Sequence, residues 1–301
     1  MSVALIDVGS NTIRLSVYMI EGDGSFERLL SKKITAGLAA YVDDEGALSP
    51  EGIDCACEAL RYLGTIVDHL QVDDVRVFAT ASLRNVTNSQ EALAAIEQRT
   101  GRAVELVSGK EEALLGFSSF RHECSLDRGV LTDIGGGSSE IVCFEHDVPV
   151  FADSLKIGSL KLYETCVDKI LPTKKELKSM EKLVKGLLDD AGIKKMGTYE
   201  VLCGIGGTAR AVCKLVNHLC RRERGTNEFS VSDLELLHEV LYAGQDTARE
   251  IVLRICSDRV HTITPGFVIF EALARRFGVE RILVSQSGVR EGYLYERVIG
   301  K

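Results

Sequence analysis

Two short stretches of this chain repeat one pattern, and that repeat limits the possible folds more than any other feature. The first is Asp7-Val8-Gly9-Ser10-Asn11-Thr12-Ile13-Arg14-Leu15-Ser16-Val17-Tyr18. The second is Val130-Leu131-Thr132-Asp133-Ile134-Gly135-Gly136-Gly137-Ser138-Ser139-Glu140-Ile141-Val142-Cys143-Phe144. With Asp133 laid on Asp7, Gly135 falls on Gly9 and Ser138 on Thr12, and apolar runs flank both. Each stretch reads as a strand, a tight turn and a returning strand. Two copies of one device imply two similar lobes, each offering its turn to a cleft between them. Glycines that take positive φ let consecutive N–H groups point into one concavity, a cradle for phosphate oxygens. Asp133 and Glu140 bring hard oxygen ligands to the second turn, the kind a phosphate-bound Mg²⁺ prefers. One Gly-rich hairpin is equally an ordinary β-turn; the repeated Asp-apolar-Gly head argues against coincidence.

Composition narrows the class. At 301 residues, with 45% hydrophobic and 27% charged residues, the chain reads as a globular protein of about two domains. No apolar run approaches the roughly 18–20 residues of a membrane span. A strand begins at Ser2 with no basic leader or cleavage site before it, which places the chain in the cytoplasm. The nine cysteines are odd in number and lie mostly inside apolar stretches, so they read as reduced and buried. A net charge of −8 argues against broad nucleic-acid binding, although a local basic cleft can sit in an acidic protein.

Along the chain, strand and helix patterns alternate. Phe26 to Leu38 reads as a further strand of the first sheet. Ser49-Pro50 caps a helix carrying Ile53, Ala56, Leu60, Leu63, Val67 and Leu70 at helical spacing. Val75 to Thr80 is a buried-strand pattern ending in Ala81-Ser82-Leu83-Arg84-Asn85, at the carboxyl end where α/β sheets gather ligands. A helix over Asn88 to Thr100 follows. Ser108 or Gly109 then caps a helix with Glu111 and Glu112 in its first turn. A carboxylate there is stabilised by the helix dipole, which accounts for Glu111. Thr173 to Ala191 is a charged helix whose lysines face solvent. Gly204-Ile205-Gly206-Gly207-Thr208 feeds a further helix N-terminus, a geometry suited to anions. Arg221, Arg222 and Arg224 form a basic cluster before a helix near Ser230. Ile282-Leu283-Val284 is a last buried strand, followed by a closing helix through Val298.

Six ordered motifs together resemble the exopolyphosphatase/guanosine pentaphosphate phosphohydrolase (Ppx/GppA) family of the actin-like, sugar-kinase and Hsp70 ATPase superfamily. They are Asp-Val-Gly-Ser-Asn-Thr (7–12), Ala-Thr-Ala-Ser-Leu-Arg (79–84), Ser-Gly-Lys-Glu-Glu-Ala (108–113), Asp-Ile-Gly-Gly-Gly-Ser-Ser-Glu (133–140), Gly-Ile-Gly-Gly-Thr-Ala-Arg-Ala (204–211) and Ser-Gly-Val-Arg-Glu-Gly (287–292). The resemblance implies an α/β fold of two actin-like, ribonuclease H-like lobes, each a mixed sheet flanked by helices. The lobes are expected over 1–117 and 118–301, with the helix over about 288–301 packing back on the first. It further implies hydrolysis of a terminal phosphoanhydride, in inorganic polyphosphate or at the 5′-γ-phosphate of guanosine pentaphosphate, with Mg²⁺ or Mn²⁺. Carried over by position, Glu112 matches the general base that activates water, and Arg84 a phosphate-binding arginine. Asp133 and Glu140 match carboxylates that hold metal and water, with Asp7 facing Asp133 across the cleft. Gly9, Ser10, Asn11 and Thr12, then Gly135, Gly136, Gly137, Ser138 and Ser139, then Gly206, Gly207 and Thr208 match the phosphate cradles.

Some features depart from the family's pattern. Longer members carry an additional C-terminal helical region, and a chain ending at Lys301 is expected to favour shorter polymers. Leu114 stands where relatives often have arginine after Glu-Glu-Ala, and no basic residue marks Thr35-Ala36-Gly37. Lys156, Lys161, Arg210 and Lys214 are candidates to compensate, each equally a surface charge. The six histidines lack metal-ligand spacing, and no Ser-His-Asp or Cys-His set stands out. Water activated by a carboxylate is therefore the economical mechanism. The rivals are guanosine pentaphosphate as substrate, a phosphate- or nucleotide-binding regulator without catalysis, and a kinase of the same fold. A homodimer is the default assembly.

Overall fold

The computed structural model describes residues 1–223 and 225–300, the side chains of Lys194 and Lys195 excepted. The chain divides into two compact units, Met1–Glu111 and Glu112–Lys301. In the first, β1 (Ser2–Val8) pairs antiparallel with β2 (Thr12–Ile20), which pairs antiparallel with β3 (Phe26–Thr35). β4 (Asp74–Ala79) joins β1 in parallel and β5 (Glu105–Leu106) joins β4 in parallel, giving the order β3-β2-β1-β4-β5. The intervening helices are α1 (Pro50–His69), α2 (Ala81–Arg84) and α3 (Ser89–Thr100). α1 starts as its sequence requires: the Ser49 hydroxyl accepts from the Gly52 N–H at 3.3 Å, with Pro50 in the first turn.

The second unit opens with most of α4 (Gly109–Glu123) and then runs the same plan again. β6 (Arg128–Ile134), β7 (Ser139–Glu145) and β8 (Val148–Leu155) form an antiparallel meander. After α5 (Ser159–Cys166) and α6 (Lys174–Asp190), β9 (Val201–Ile205) returns parallel to β6. α7 (Gly206–Leu219) leads to a short edge strand, β10 (Glu228–Ser230). Then come α8 (Val231–Ala243), α9 (Gln245–Cys256), α10 (Ile263–Phe277), β11 (Arg281–Val284) and α11 (Val289–Tyr293), which continues as a π-helical segment, Leu294–Ile299. The sheet order is β10-β11-β9-β6-β7-β8. Read from β8, the order 8-7-6-9-11 reproduces 3-2-1-4-5, so the repeat seen in the two motifs extends to whole sheets.

The repeat holds atom by atom at the turns. The Gly9 N–H donates to the Thr12 carbonyl at 3.1 Å, and the Gly135 N–H to the Ser138 carbonyl at 2.9 Å. Asp7 lies opposite Arg14 in one hairpin and Asp133 opposite Glu140 in the other. Directly opposed residues of antiparallel strands share a face, so each hairpin presents its acidic residue beside a charged partner. The strand expected over Phe26 to Leu38 ends at Thr35, because Gly37 takes φ 61° and starts a 3₁₀ turn. Of the basic cluster, Arg222 pairs with Asp233 at the cap of α8, and Arg224 lies outside the described residues. Among the described residues no helix is long and apolar enough to cross a membrane.

Two contacts fix α4 against its neighbours. A Cβ at Gly116 would lie 2.6 Å from Ile205 Cδ1, and a Cβ at Gly292 would overlap the Leu115 carbonyl. Along the same interface His122 stacks on Tyr295, ring centroids 3.6 Å apart, and Ser118 donates to Glu296 at 2.5 Å. The closing helix thus packs on α4. Alanine normally favours a helix interior by about 1 kcal/mol over glycine. Gly292→Ala is expected to do the reverse and lower the urea midpoint, because overpacking against backbone costs about 1–3 kcal/mol. An unchanged or higher midpoint would contradict this packing.

Candidate active site

The second unit gathers its motifs around Asp133, at the end of β6. Behind the Gly135-Gly136-Gly137 turn, the start of α5 grips the turn's carbonyls. The Ser159 N–H and hydroxyl donate to Gly135 at 2.8 and 3.0 Å, and the Leu160 and Lys161 N–H groups both donate to Gly136 at 3.0 Å. Gly158 permits this approach, since a Cβ there would lie 2.5 Å from the Gly136 carbonyl. Two hydroxyls expected at phosphate are engaged in the same framework. Ser139 donates to the Ile157 carbonyl at 2.6 Å and Thr208 to the Ile134 carbonyl at 2.7 Å, both fully buried. An anion at these positions would therefore meet backbone N–H groups.

β9 runs parallel beside β6 and delivers Gly206 against the Asp133 carboxylate. A Cβ at Gly206 would overlap Asp133 Oδ1, and the residue also takes φ 75°, so glycine is required twice over. A Cβ at Gly207 would overlap the Arg259 guanidinium. Arg210 and Arg290 complete the surroundings, and all three arginines act on Asp133 electrostatically. Burial pushes the Asp133 carboxyl up, against the pull of Arg210, Arg290 and Arg259. Burial likewise pushes the Arg210 guanidinium down, with Asp133 and Glu291 opposing and Arg290 and Arg259 assisting. With Glu140 opposite Asp133 and Glu291 acting on Arg210, carboxylates and guanidiniums are gathered at one place.

Glu140, 1% exposed, stands opposite Asp133 in register and accepts from the Ser154 hydroxyl at 2.7 Å. Among the described residues no three His, Cys, Asp or Glu side chains form a ready metal cage. Asp133 and Glu140 do share one face, and Mg²⁺ is commonly held by one or two carboxylates together with substrate phosphates. The donor set fits a metal carried by its substrate.

Glu111 and Glu112 separate clearly. The Ser108 N–H donates to Glu111 at 3.0 Å, and the Glu111 N–H to the Ser108 hydroxyl at 3.2 Å, a reciprocal cap. Glu111 is exposed; Glu112, next to it, is 8% exposed. The first-unit candidates form their own group. Gly37 and Ala39 donate to the carbonyls of Asn11 and Ser10, both at 3.0 Å, holding the 9–12 turn from behind as α5 holds its counterpart. Ser82 donates to the Val8 carbonyl, and Arg84 to Val107 at 3.1 Å, which ties α2 to the approach to α4. Asp7 lies partly exposed at the end of β1. Two arginines escaped the sequence reading. Arg259 sits in a 3₁₀ turn, Ser257–Arg259, between helices, where no periodicity marks it. Arg290 lay within a quoted motif, and only the fold brings it to Asp133.

Sheets of this order, repeated in the two units, give each the actin-like fold. Residues 17–299 match the model of the Ppx/GppA phosphatase family, and the chain belongs to that family. Exopolyphosphatase 2 of Mycobacterium tuberculosis is 28% identical, with 96% of each chain covered. A guanosine-5′-triphosphate,3′-diphosphate pyrophosphatase of Vibrio cholerae is 25% identical over 98% of this chain, which spans 59% of that relative's length. Among solved structures, an exopolyphosphatase from Cytophaga hutchinsonii superposes with TM-score 0.85 at 22% identity, covering all of this chain and 98% of that one. A Ppx/GppA member from Aquifex aeolicus gives 0.80 at 23%, with the same coverage.

The raised Asp133 carboxyl has a measurable consequence. Its folded pKa lies above the unfolded value of about 3.9. Stability present below that value is therefore lost as pH rises through the folded pKa. In metal-free buffer, Asp133→Asn is expected to melt above the parent at pH 7 and level with it below about pH 4. Equal melting temperatures at both pH values would remove the burial cost from Asp133.

Proposed function

We propose that this chain hydrolyses the terminal phosphoanhydride of inorganic polyphosphate. The observation that carries the reading is the ring of Arg210, Arg259 and Arg290 about Asp133, beside glycine turns whose carbonyls are drawn away behind them. Phosphoryl transfer asks a protein mainly for positioning and charge compensation, and this arrangement supplies both to a polyanion. Membership of a phosphatase family that includes named exopolyphosphatases supports the same chemistry.

In the proposed reaction a water oxygen attacks the terminal phosphorus, the bond to the bridging oxygen breaks, and orthophosphate leaves a chain one unit shorter. Glu112, buried in the first turn of α4, takes the proton from water as general base. The arginines meet the charge on the transferring group and its leaving oxygen. Asp133 and Glu140 would hold a divalent cation, Mg²⁺ or Mn²⁺, which when bound offsets charge on the phosphate oxygens. Gly206 and Gly207 bring the α7 N-terminus to the same place, adding N–H donors and the positive end of a helix dipole. The rest of the expected machinery, Arg84, Asp7 and the Gly9–Thr12 turn, supplies further phosphate and metal contacts in this reading.

Phosphate release from polyphosphates of graded length, beside guanosine pentaphosphate, tests the substrate. Release from polyphosphate is expected; turnover of guanosine pentaphosphate alone would reassign the enzyme. Binding without release of phosphate would make the chain a regulator. Glu112→Gln should lose about 10²–10⁴ in turnover while retaining phosphate-chain binding. Near-parental hydrolysis by that variant rejects Glu112 as base. Asp133→Asn should flatten the Mg²⁺ titration, and an unaltered titration removes Asp133 from the metal site.

A further inference from the structure

The arginine ring depends on a turn outside it. Residues 285–288 connect β11 to α11, and α11 carries Arg290. The carbonyl side of this turn faces Arg210: Nη1 donates to Gln286 at 3.1 Å and lies 3.4 Å from the carbonyls of Ser285 and Ser287. The N–H side faces Glu123, the last residue of α4. Its carboxylate accepts from the Gln286 N–H at 3.1 Å, the Ser287 N–H at 3.0 Å and the Ser285 hydroxyl at 2.5 Å. The turn therefore lies between an anion on its donor side and a cation on its acceptor side. Peptide dipoles aligned in this way strengthen both sets of bonds, since each hydrogen bond polarises the next. The adjoining Gly288 N–H is held by Glu291 at 2.9 Å, which fixes the start of α11 and the position of Arg290.

Helix energetics do not call for a carboxylate at this place. A negative charge at a helix C-terminus opposes the macrodipole. Glu123 is an exposed residue and belongs to no apolar core cluster. Partial burial raises its carboxyl, yet the bonds from Ser285, Gln286 and Ser287 outweigh this and hold it below the usual carboxylate range. α4 carries Glu112 at its other end.

We propose that Glu123 is a positioning residue: by clamping the 285–288 turn it sets Arg210 and Arg290 for the phosphate chain. This rests on the reading of the arginine ring as a phosphate site. α4 then serves both halves of the chemistry, with the base in its first turn and the anchor of the arginine-bearing turn at its last residue.

The test uses the full chain with Glu123→Gln, which keeps size but loses the charge and one acceptor, and Glu123→Asp, which keeps the charge on a shorter arm. With inorganic tripolyphosphate, Glu123→Gln is expected to raise KM about tenfold while kcat falls less than about threefold, consistent with losing a charged hydrogen bond. Glu123→Asp should recover part of the KM. Amide exchange at Gln286 and Ser287 should quicken about tenfold in Glu123→Gln, and tripolyphosphate binding measured by calorimetry should weaken in parallel. Ser285→Ala, which removes one of the three bonds, should give a smaller change in the same direction and serves if Glu123→Gln does not fold. A lowered melting temperature with unaltered KM and binding overturns the proposal, as does unaltered exchange at the turn. The exchange and binding readouts need no turnover. If the parent binds tripolyphosphate but releases no phosphate, the hydrolase reading fails while the positioning of the ring is still tested.

Discussion

Asp133, half-buried at the end of β6, is the constraint on which the second unit depends. Ionised and desolvated, it is stable only with compensation, and the fold brings three guanidiniums to it. Burial still outweighs their pull on the carboxyl, so the ionised form costs the fold stability. Glu140 and Glu291 bring further carboxylates to the same place, so charges of both signs are crowded into one part of the second unit. Charges desolvated in this way burden the folded state.

Backbone contacts make the cluster possible. A strand, a turn and a helix N-terminus converge on Asp133 only because Gly206 and Gly207 leave room for a carboxylate and a guanidinium where side chains would stand. Gly158 does the same behind the turn, letting α5 take its carbonyls. The rigidity that phosphate recognition needs then comes from hydroxyls spent on the scaffold. Ser139 and Thr208 hold neighbouring carbonyls and so brace the turns. Gly292 performs the equivalent service for α4, bringing the closing helix onto the backbone of the helix that carries Glu112.

Much of this was legible in the residues. The repeated Asp-apolar-Gly head predicted two hairpins, and the structure gives both the same turn hydrogen bond and extends the repeat to the strand order of both sheets. Glu111 was set aside because the helix dipole accounts for a first-turn carboxylate, and Glu112 was singled out by the family resemblance; the Ser108–Glu111 cap was seen only in the structure. The arginine ring was harder to read. Arg259, Arg210 and Arg290 come from three separate segments and meet through tertiary packing, for which periodicity carries no signal. Arg210 appeared only as one of four possible stand-ins for missing basic residues. β10 was also missed: three residues on a sheet edge are too few to show alternation. Local chemistry was readable where its partners were neighbours in sequence and hidden where they were not.

The ring also bears on how relatives of this fold come to carry different names. Guanidiniums and backbone N–H groups address phosphate oxygens, and the terminal phosphates of an inorganic chain and of a guanosine polyphosphate present the same oxygens. The groups that act on Asp133 electrostatically are guanidiniums, which by themselves do not distinguish a nucleobase from further phosphate. In the proposed reaction, charge complementarity at that position addresses a phosphoanhydride end and is neutral toward what is attached further along. Discrimination between an inorganic polymer and a nucleotide must arise where the distal part of the ligand lies, away from the reacting phosphorus. With relatives of both names matching this chain, its preference is to be sought outside the Asp133 cluster.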